Sequence, residues 1–311
     1  MEERIFITGG TGFIGSHLAR RFVKEGSAVC LFDINPSTKQ IGDISEKVKV
    51  VKGDVTILSE VITAAKEFQA TKIMHLATIL SDVGNAFPMT AYRTNFDGVI
   101  NALEVTRLLD LKQMLFASSE AIFSRGAPEP INDDSPKYPQ DPYGISKLFG
   151  ENWGMFYVSK YGLDVRGFRG TWVYGPGRLR GGTAFASLMI QNSYFGQEVE
   201  VPNLVGNFSY IEDLVDAVSV ITKAKEAKSR FYLVTGEDRS TADVAKLVEK
   251  KLPNSKIKVV PVDPNSAMAK WPNRKHGTTI TNELGWKPRY SIEEGINHFL
   301  GVLKSSERLY G

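Results

Sequence analysis

The chain opens with a strand, a glycine turn and a helix in immediate succession, and that order restricts the fold more than any other stretch. Arg4 to Thr8 is an apolar run of strand length, Gly9-Gly10-Thr11-Gly12-Phe13-Ile14-Gly15 is the turn, and Phe13 to Glu25 carries helix-period apolar positions before a second strand at Ala28 to Asp33. A strand, a crossover helix and a strand make a right-handed unit whose two strands lie parallel. The rhythm continues, with strands at Val48 to Lys52, Lys72 to Ala77, Gln113 to Ser118 and Asp164 to Arg169, and helices at Leu58 to Phe68, Met89 to Leu109 and Tyr143 to Tyr161. Such alternation predicts an α/β fold, a doubly wound parallel sheet of Rossmann type with helices on both faces.

Two segments interrupt the rhythm. Residues 125–141 hold Pro128, Pro130, Pro136 and Pro139 among acidic residues, which predicts a loop arching over the strand ends as a rim of the site. Beyond about Gly170 the alternation weakens, and helix signals remain at Asp213 to Thr222 and Thr241 to Lys251. We expect a Rossmann domain over residues 1–170 and a smaller substrate-binding lobe over 171–311, partly interleaved with the main sheet; 311 residues suffice for both.

Charge and cysteine usage narrow the class of partner. Thirty-eight basic against 35 acidic residues leave a net charge of +3, without runs of one sign, which points away from nucleic acid and anionic membrane and toward a small polar molecule. The single cysteine, Cys30, lies inside an apolar run, so no internal disulfide is expected and a cytoplasmic setting is. No apolar stretch approaches the roughly 18 residues of a membrane span. His17, His75, His276 and His298 lack metal-ligand spacing, and no metal site is expected.

Glycines spaced as Gly9-x-x-Gly12-x-x-Gly15 let a backbone approach a phosphate closely, and the helix that follows offers unpaired N–H groups and a positive dipole end. Asp33 ends the second strand, 18 residues beyond Gly15. A carboxylate there accepts hydrogen bonds from an adenosine ribose and repels a 2′-phosphate, so the expected dinucleotide is NAD rather than NADP. Asp54-Val55 follows the third strand, where an adenine contact would fall, although an Asp in such a turn also serves as a turn former.

Tyr143 and Lys147 stand four positions apart and share one helix face. A phenol with its ordinary pKa of about 10 is a poor base at neutral pH. An ammonium a few ångströms away, screened from water, lowers that pKa. Hydride leaves a carbinol carbon readily only if the O–H proton leaves with it, so the pair reads as a proton-transfer device beside a hydride carrier.

Taken in order, Thr8 through Ser16, Asp33, Gly53-Asp54-Val55, His75-Leu76-Ala77, Asn95, Phe116-Ala117-Ser118-Ser119, Tyr143-Gly144-Ile145-Ser146-Lys147 and Val173-Tyr174-Gly175-Pro176-Gly177 resemble the extended short-chain dehydrogenase/reductase family, of NAD-dependent epimerase/dehydratase type, over nearly the whole chain. The resemblance implies that Tyr143 is the catalytic acid/base, that Lys147 lowers its pKa and holds the nicotinamide ribose, and that Ser119 orients the substrate oxygen. It implies cofactor contacts from Gly9, Gly12, Phe13, Ile14, Gly15, Asp33, Asp54, Val55, Leu76, Ala77 and Asn95, with His75 packed near the phosphates. It also implies a homodimer built on the helices at Met89 to Leu109 and Tyr143 to Tyr161, where Trp153, Met155, Phe156 and Tyr157 spread apolar surface over more than one face.

Departures from the family pattern bear on the substrate. In its nucleotide-diphosphate-sugar epimerases the stretch at Arg169 reads Arg-Tyr-Phe-Asn and an Arg stands two residues before the Phe of a Phe-x-Tyr segment, and the Asn and that Arg hold the diphosphate. Here Trp172 and Gly206 occupy those positions, and the loss of an Arg–phosphate fork argues against a nucleotide sugar; Arg178 or Arg180 is the substitute that keeps that alternative open. Family dehydratases carry an acidic pair where this chain has Glu120 followed by Ala121. Glu120 reads either as a pocket carboxylate or as a solvent-facing one. The segments His75 to Gly84, Arg180-Gly181-Gly182-Thr183 and Lys270-Trp271-Pro272 resemble the L-threonine 3-dehydrogenases of the family, which implies that Ser81 and Thr183 hold the substrate. The expected activity is NAD-dependent hydride transfer to or from a secondary alcohol carbon of a small polar substrate, with Ser81, Glu120, Trp172 and Thr183 around it. The alternatives are a sugar 4-epimerase, a dehydratase and a dinucleotide-sensing non-enzyme.

Overall fold

The computed structural model describes residues 2–266 and 268–310. Its N-terminal run forms β1 (Arg4–Thr8), buried from Ile5 onward, and the chain then turns into α1 (Phe13–Lys24) and returns as β2 (Ala28–Asp33). β3 (Lys49–Lys52), β4 (Lys72–His75), β5 (Gln113–Ser119) and β6 (Val165–Gly170) follow, joined by α2 (Leu58–Glu67), by a broken helical segment and by the long helix Pro142–Tyr161. β1, β2, β3, β4 and β5 pair in parallel, with Thr8 opposite both Phe32 and His75. A seventh strand, Phe231–Val234, joins the same sheet; it is β10 in chain order after β7 (Trp172–Tyr174), β8 (Glu198–Pro202) and β9 (Val205–Tyr210). The order β10-β6-β5-β4-β1-β2-β3 reverses direction between β1 and β4. In a doubly wound sheet that reversal opens a crevice at the carboxyl ends of the two strands.

One helix expected over Met89 to Leu109 is several pieces. Short α3 (Ser81–Ala86) and α4 (Pro88–Tyr92) precede a π turn at Arg93–Asp97, and only then does α5 (Gly98–Leu108) run regularly. Pro88 sits at the first helical position, where its missing N–H is harmless. The π turn inserts one residue per turn and carries Asn95 into the interior, where its amide is fully engaged; such bulges concentrate at functional sites. By contrast α6 (Pro142–Tyr161) runs unbroken, started by the Asp141 side chain accepting from the Gly144 N–H at 2.9 Å and ended by Gly162 in the left-handed region.

The chain forms two compact units. The first holds Met1–Ile122, Pro139–Arg169 and Val218–Phe231, and its core joins Phe6, Phe32, Val99, Leu103 and Phe116. The second holds Phe123–Tyr138, Gly170–Ala217 and Tyr232–Gly311. Within it β11 (Glu237–Ser240), β9 and β7 form one sheet, and β12 (Lys256–Val260) pairs with β8. The Pro-rich segment expected as a plain loop is tied into this second unit: the Ile131 N–H donates to the Arg274 carbonyl at 2.9 Å, the His276 N–H to the Ile131 carbonyl at 2.7 Å, and the Leu233 N–H to Asp133 at 2.8 Å. Among the described residues no helix is long and apolar enough to cross a membrane.

Candidate active site

The glycine turn is built for close approach. Gly9 has φ +64°, and a Cβ there would lie 2.8 Å from the Ala77 nitrogen, so the turn after β1 touches the loop after β4 directly. A Cβ on Gly15 would meet the Gly10 carbonyl oxygen at 2.6 Å, which locks α1 against the turn. Gly12 caps α1 with no side-chain hydrogen bond, and Phe13 and Ile14 form the first turn. The helix therefore begins with donor N–H groups that no side chain of its own satisfies, the arrangement that receives a pyrophosphate. Asp33, at the end of β2, accepts from the Thr11 hydroxyl at 2.8 Å and the Thr11 N–H at 3.2 Å, which aims its carboxylate at the turn. These features fit a dinucleotide.

Other residues expected at the cofactor follow β3 and β4. Asp54 accepts from the Thr56 N–H at 2.8 Å as a turn former, and the buried Val55 packs on α5, where its carbonyl accepts from Asn101 at 2.8 Å. Leu76 and Ala77 continue β4 beyond its last strand residue, with the Leu76 N–H donating to the Thr8 carbonyl at 3.1 Å. His75 is 1% exposed, its Nδ1 2.8 Å from the Thr8 hydroxyl and its ring stacked on Phe116. Burial, with the Lys147 charge a lesser cause, drags its pKa down to about 3, so it is a neutral strut.

Asn95 does a job that its motif did not disclose. Its Oδ1 accepts from the Ile79 N–H at 2.7 Å and the Thr78 hydroxyl at 3.1 Å, while Nδ2 donates to the Ile79 carbonyl at 3.0 Å and Ser146 Oγ at 3.2 Å. Ser146 in turn donates to the Tyr143 carbonyl at 2.7 Å. One amide thus ties the loop after β4 to the first turn of α6.

Tyr143 and Lys147 share a face of α6, with the Lys147 Nζ 5.3 Å from the Tyr143 ring centroid. Lys147 is 3% exposed, donates to the Ala117 carbonyl at 2.8 Å and lies 5.0 Å from the centre of the Phe116 ring. Burial pulls its pKa from the usual 10.5 to about 7, and the groups that face the ammonium are the Ala117 carbonyl and the Phe116 and Tyr143 rings. Ser119 ends β5, its Oγ accepting from the Ala121 N–H at 3.1 Å. The helix reaches this turn because residue 144 is glycine: a Cβ there would stand 2.3 Å from the Ala121 carbonyl oxygen. Among the described residues no group of three or more His, Cys, Asp or Glu is placed to hold a metal.

Residues expected to face the substrate fall in different surroundings. Ser81 starts α3, half-buried. Glu120 stands in a single turn after β5 and is 7% exposed, which corrects the solvent-facing alternative. In the second unit Thr183 accepts from Arg178 Nη2 at 2.7 Å, while Arg178 Nη1 donates to the Val173 carbonyl; of the two cations expected as substitutes for the missing clamp, Arg178 is thereby held by its own loop. Trp172 is 3% exposed, edge-to-face with Phe185 at 5.2 Å and with Phe208 at 5.4 Å. A Cβ on Gly206 would come within 2.1 Å of its six-membered ring. The sequence treats these as separate departures; the fold makes them one packing solution.

One further group, which no motif marks, lies beside Ser119 and Lys147. Ser118, Glu151 and Arg169 are joined by short hydrogen bonds in the interior. Glu151 follows Lys147 by one helical turn, the only sequence signal that it faces the sheet.

The seven-stranded sheet and its glycine turn are those of the doubly wound, dinucleotide-binding class. The family model for the NAD dependent epimerase/dehydratase family matches residues 5–234, and the chain belongs to that family, within the extended short-chain dehydrogenases. It is 25% identical to a putative UDP-glucose 4-epimerase of Methanocaldococcus jannaschii over 98% of this chain and 99% of that one. It is 27% identical to the mitochondrial L-threonine 3-dehydrogenase of Sus scrofa over 99% of this chain and 84% of that one. The solved L-threonine dehydrogenase of Clostridium difficile superposes with a TM-score of 0.88 at 25% identity, covering 100% of this chain and 99% of that chain. Members of the family are NAD-dependent enzymes, and NAD is the cofactor.

Proposed function

We propose that this chain is an NAD-dependent dehydrogenase acting on a secondary alcohol of a small polar substrate, a hydroxy acid, an amino acid or a sugar derivative. The observation that carries the reading is the Trp172 ring in the space above Gly206, which leaves no room for a cationic side chain at 206 and so no diphosphate clamp there. The similarity to L-threonine dehydrogenases supports it.

NAD, when bound, supplies the hydride acceptor or donor. Tyr143 takes the alcohol proton as general base and returns it in the reverse direction. Lys147 holds positive charge beside the phenol, and that charge favours the phenolate. Ser119, its Oγ oriented by the Ala121 N–H, donates to the substrate oxygen on which charge develops. Ser81, Glu120, Trp172 and Thr183 are the residues we assign to the substrate.

Two further assignments accompany this reading. An aromatic ladder of Tyr92, Phe96, Phe149, Trp153 and Phe156, with neighbouring rings 4.8 to 5.7 Å apart and Tyr92, Trp153 and Phe156 exposed, supports a homodimer through α4 to α6. A buried lone thiol at Cys30 supports a cytoplasmic setting.

The test is NADH absorbance with a panel of threonine, hydroxy acids, aldonates, uronates and nucleotide sugars. Net NADH with a free alcohol is the expected result; turnover restricted to UDP-sugars without net NADH would establish the 4-epimerase instead, the reading that the M. jannaschii relative favours. Sedimentation of the chain and of a Trp153→Lys variant tests the dimer.

A further inference from the structure

We propose that Ser118, Glu151 and Arg169 form a positioning network that sets the carboxyl end of β5, and with it Ala117 and Ser119, against Lys147. The inference rests on the dehydrogenase reading of the Ser119, Tyr143 and Lys147 set.

The geometry is specific. Ser118 Oγ donates to Glu151 Oε1 at 2.5 Å, Arg169 Nε donates to the same oxygen at 2.8 Å, and Arg169 Nη2 donates to Oε2 at 2.8 Å. Glu151 and Arg169 are both nearly sealed from water, with side chains 6% and 7% exposed. The forked pairing saturates the guanidinium edge and fixes the plane of the carboxylate, so Ser118 meets an acceptor that cannot rotate away. Three elements are joined: Ser118 is on β5, Glu151 on α6 and Arg169 on β6, the strand next to β5.

Ser118 stands between the two residues that matter. Its predecessor Ala117 presents the carbonyl that receives the Lys147 ammonium, and its successor Ser119 carries the hydroxyl assigned to the substrate oxygen. Lys147 and Glu151 lie one turn apart on α6, so the helix holds β5 at two successive points, ammonium to carbonyl and carboxylate to hydroxyl. Gly150, between them, allows it: a Cβ there would stand 2.5 Å from the Phe116 ring, so the helix settles directly on β5. Phe116 and Ser118 project to the same face of the strand, toward α6. A salt bridge with no task beyond stability has no need of the serine, because the Arg169 fork satisfies both carboxylate oxygens already. The short Ser118 bond makes the pair a ruler for the active site.

The experiment compares Ser118→Ala, Ser118→Thr and a Glu151→Met/Arg169→Met double variant with the parent, all loaded with NAD. Ser118→Ala leaves the carboxylate paired, and exchanging a buried ion pair for apolar side chains is often neutral for stability, so these variants are expected to fold. For Ser118→Ala we expect an unchanged melting temperature and KM, kcat lower by about tenfold or more, and the acid limb of kcat/KM moved to higher pH; Ser118→Thr restores the parent values. Titration of Tyr143, read as the ultraviolet difference between each protein and its Tyr143→Phe counterpart, should move upward in the same variants. Parent-like kcat, acid limb and Tyr143 titration in Ser118→Ala and in the double variant would overturn the proposal. If the parent forms NADH from no alcohol, the dehydrogenase reading fails alone, and the Tyr143 titration by itself then decides for or against the network.

Discussion

Trp172 and Gly206 are two halves of one packing solution: the indole occupies the volume that any side chain at 206 would need, 2.1 Å from the nearest Cβ position. The register sets Trp172 opposite Phe208, and the Phe185 ring meets the indole edge-to-face. Gly206→Arg should therefore destabilise the chain by about 2–3 kcal/mol, the scale of overpacking a filled core. Trp172→Asn combined with Gly206→Arg should recover most of that loss. Thermal melts measure both, and calorimetry with UDP should give saturable heat with the double variant but not with the parent.

Lys147 is held in the interior against its own solvation. An unfolded lysine stays protonated to about pH 10.5, the folded one only to about 7. Between those values the unfolded chain binds the extra proton, so stability rises with pH, and the penalty is largest below pH 7. Lys147→Met should stabilise the chain at pH 6 by a few kcal/mol, at roughly 1.4 kcal/mol for each pH unit separating the two values, seen as a higher melting temperature, and the gain should fade toward pH 10. Its activity should fall by about 10²–10⁴, as should that of Tyr143→Phe, without the same gain in stability.

His75 gives the chain a soft acid limit. Its folded pKa of about 3 lies below the unfolded 6.5, so its contribution is complete above pH 6.5 and is lost as pH falls toward 3. Urea unfolding between those values should show a slope of up to about 1.4 kcal/mol per pH unit from this group. His75→Asn, which keeps an acceptor near the Thr8 hydroxyl, should flatten that slope.

Gly144 reverses a familiar sign. Glycine to alanine within a helix ordinarily stabilises by roughly 0.5–1 kcal/mol, and Gly301 in the helix Ile292–Ser305, with open space around it, should behave so. At Gly144 the new methyl would stand 2.3 Å from the Ala121 carbonyl oxygen. Gly144→Ala should lower the melting temperature and reduce kcat by displacing the turn that orients Ser119. Equal stabilisation of both variants would show that α6 does not need this approach.

Local pattern carried much of this protein. The strand, glycine turn and helix at residues 4–25, the repeated alternation through residue 169 and the four-residue spacing of Tyr143 and Lys147 depend on neighbours in the chain, so period and turn chemistry are readable without a fold. The break of the 88–108 helix at its π turn, the Phe231–Val234 strand and the pairing of Ile131 with the Lys275 segment were not readable, because their partners lie far along the chain. The same holds for the candidate site.

By itself the sequence determined the class of fold, the succession of strand, glycine turn and helix that ends β2 on Asp33, and the placement of Tyr143 and Lys147 on one helix face. Tertiary structure alone decided that Glu120 is buried, that Asn95 ties a loop to α6, that Ser118, Glu151 and Arg169 meet, and that Trp172 closes the space above Gly206. Burial and side-chain contact are properties of volumes filled by residues up to 51 positions apart in these pairs, and no local period encodes which of them will share one.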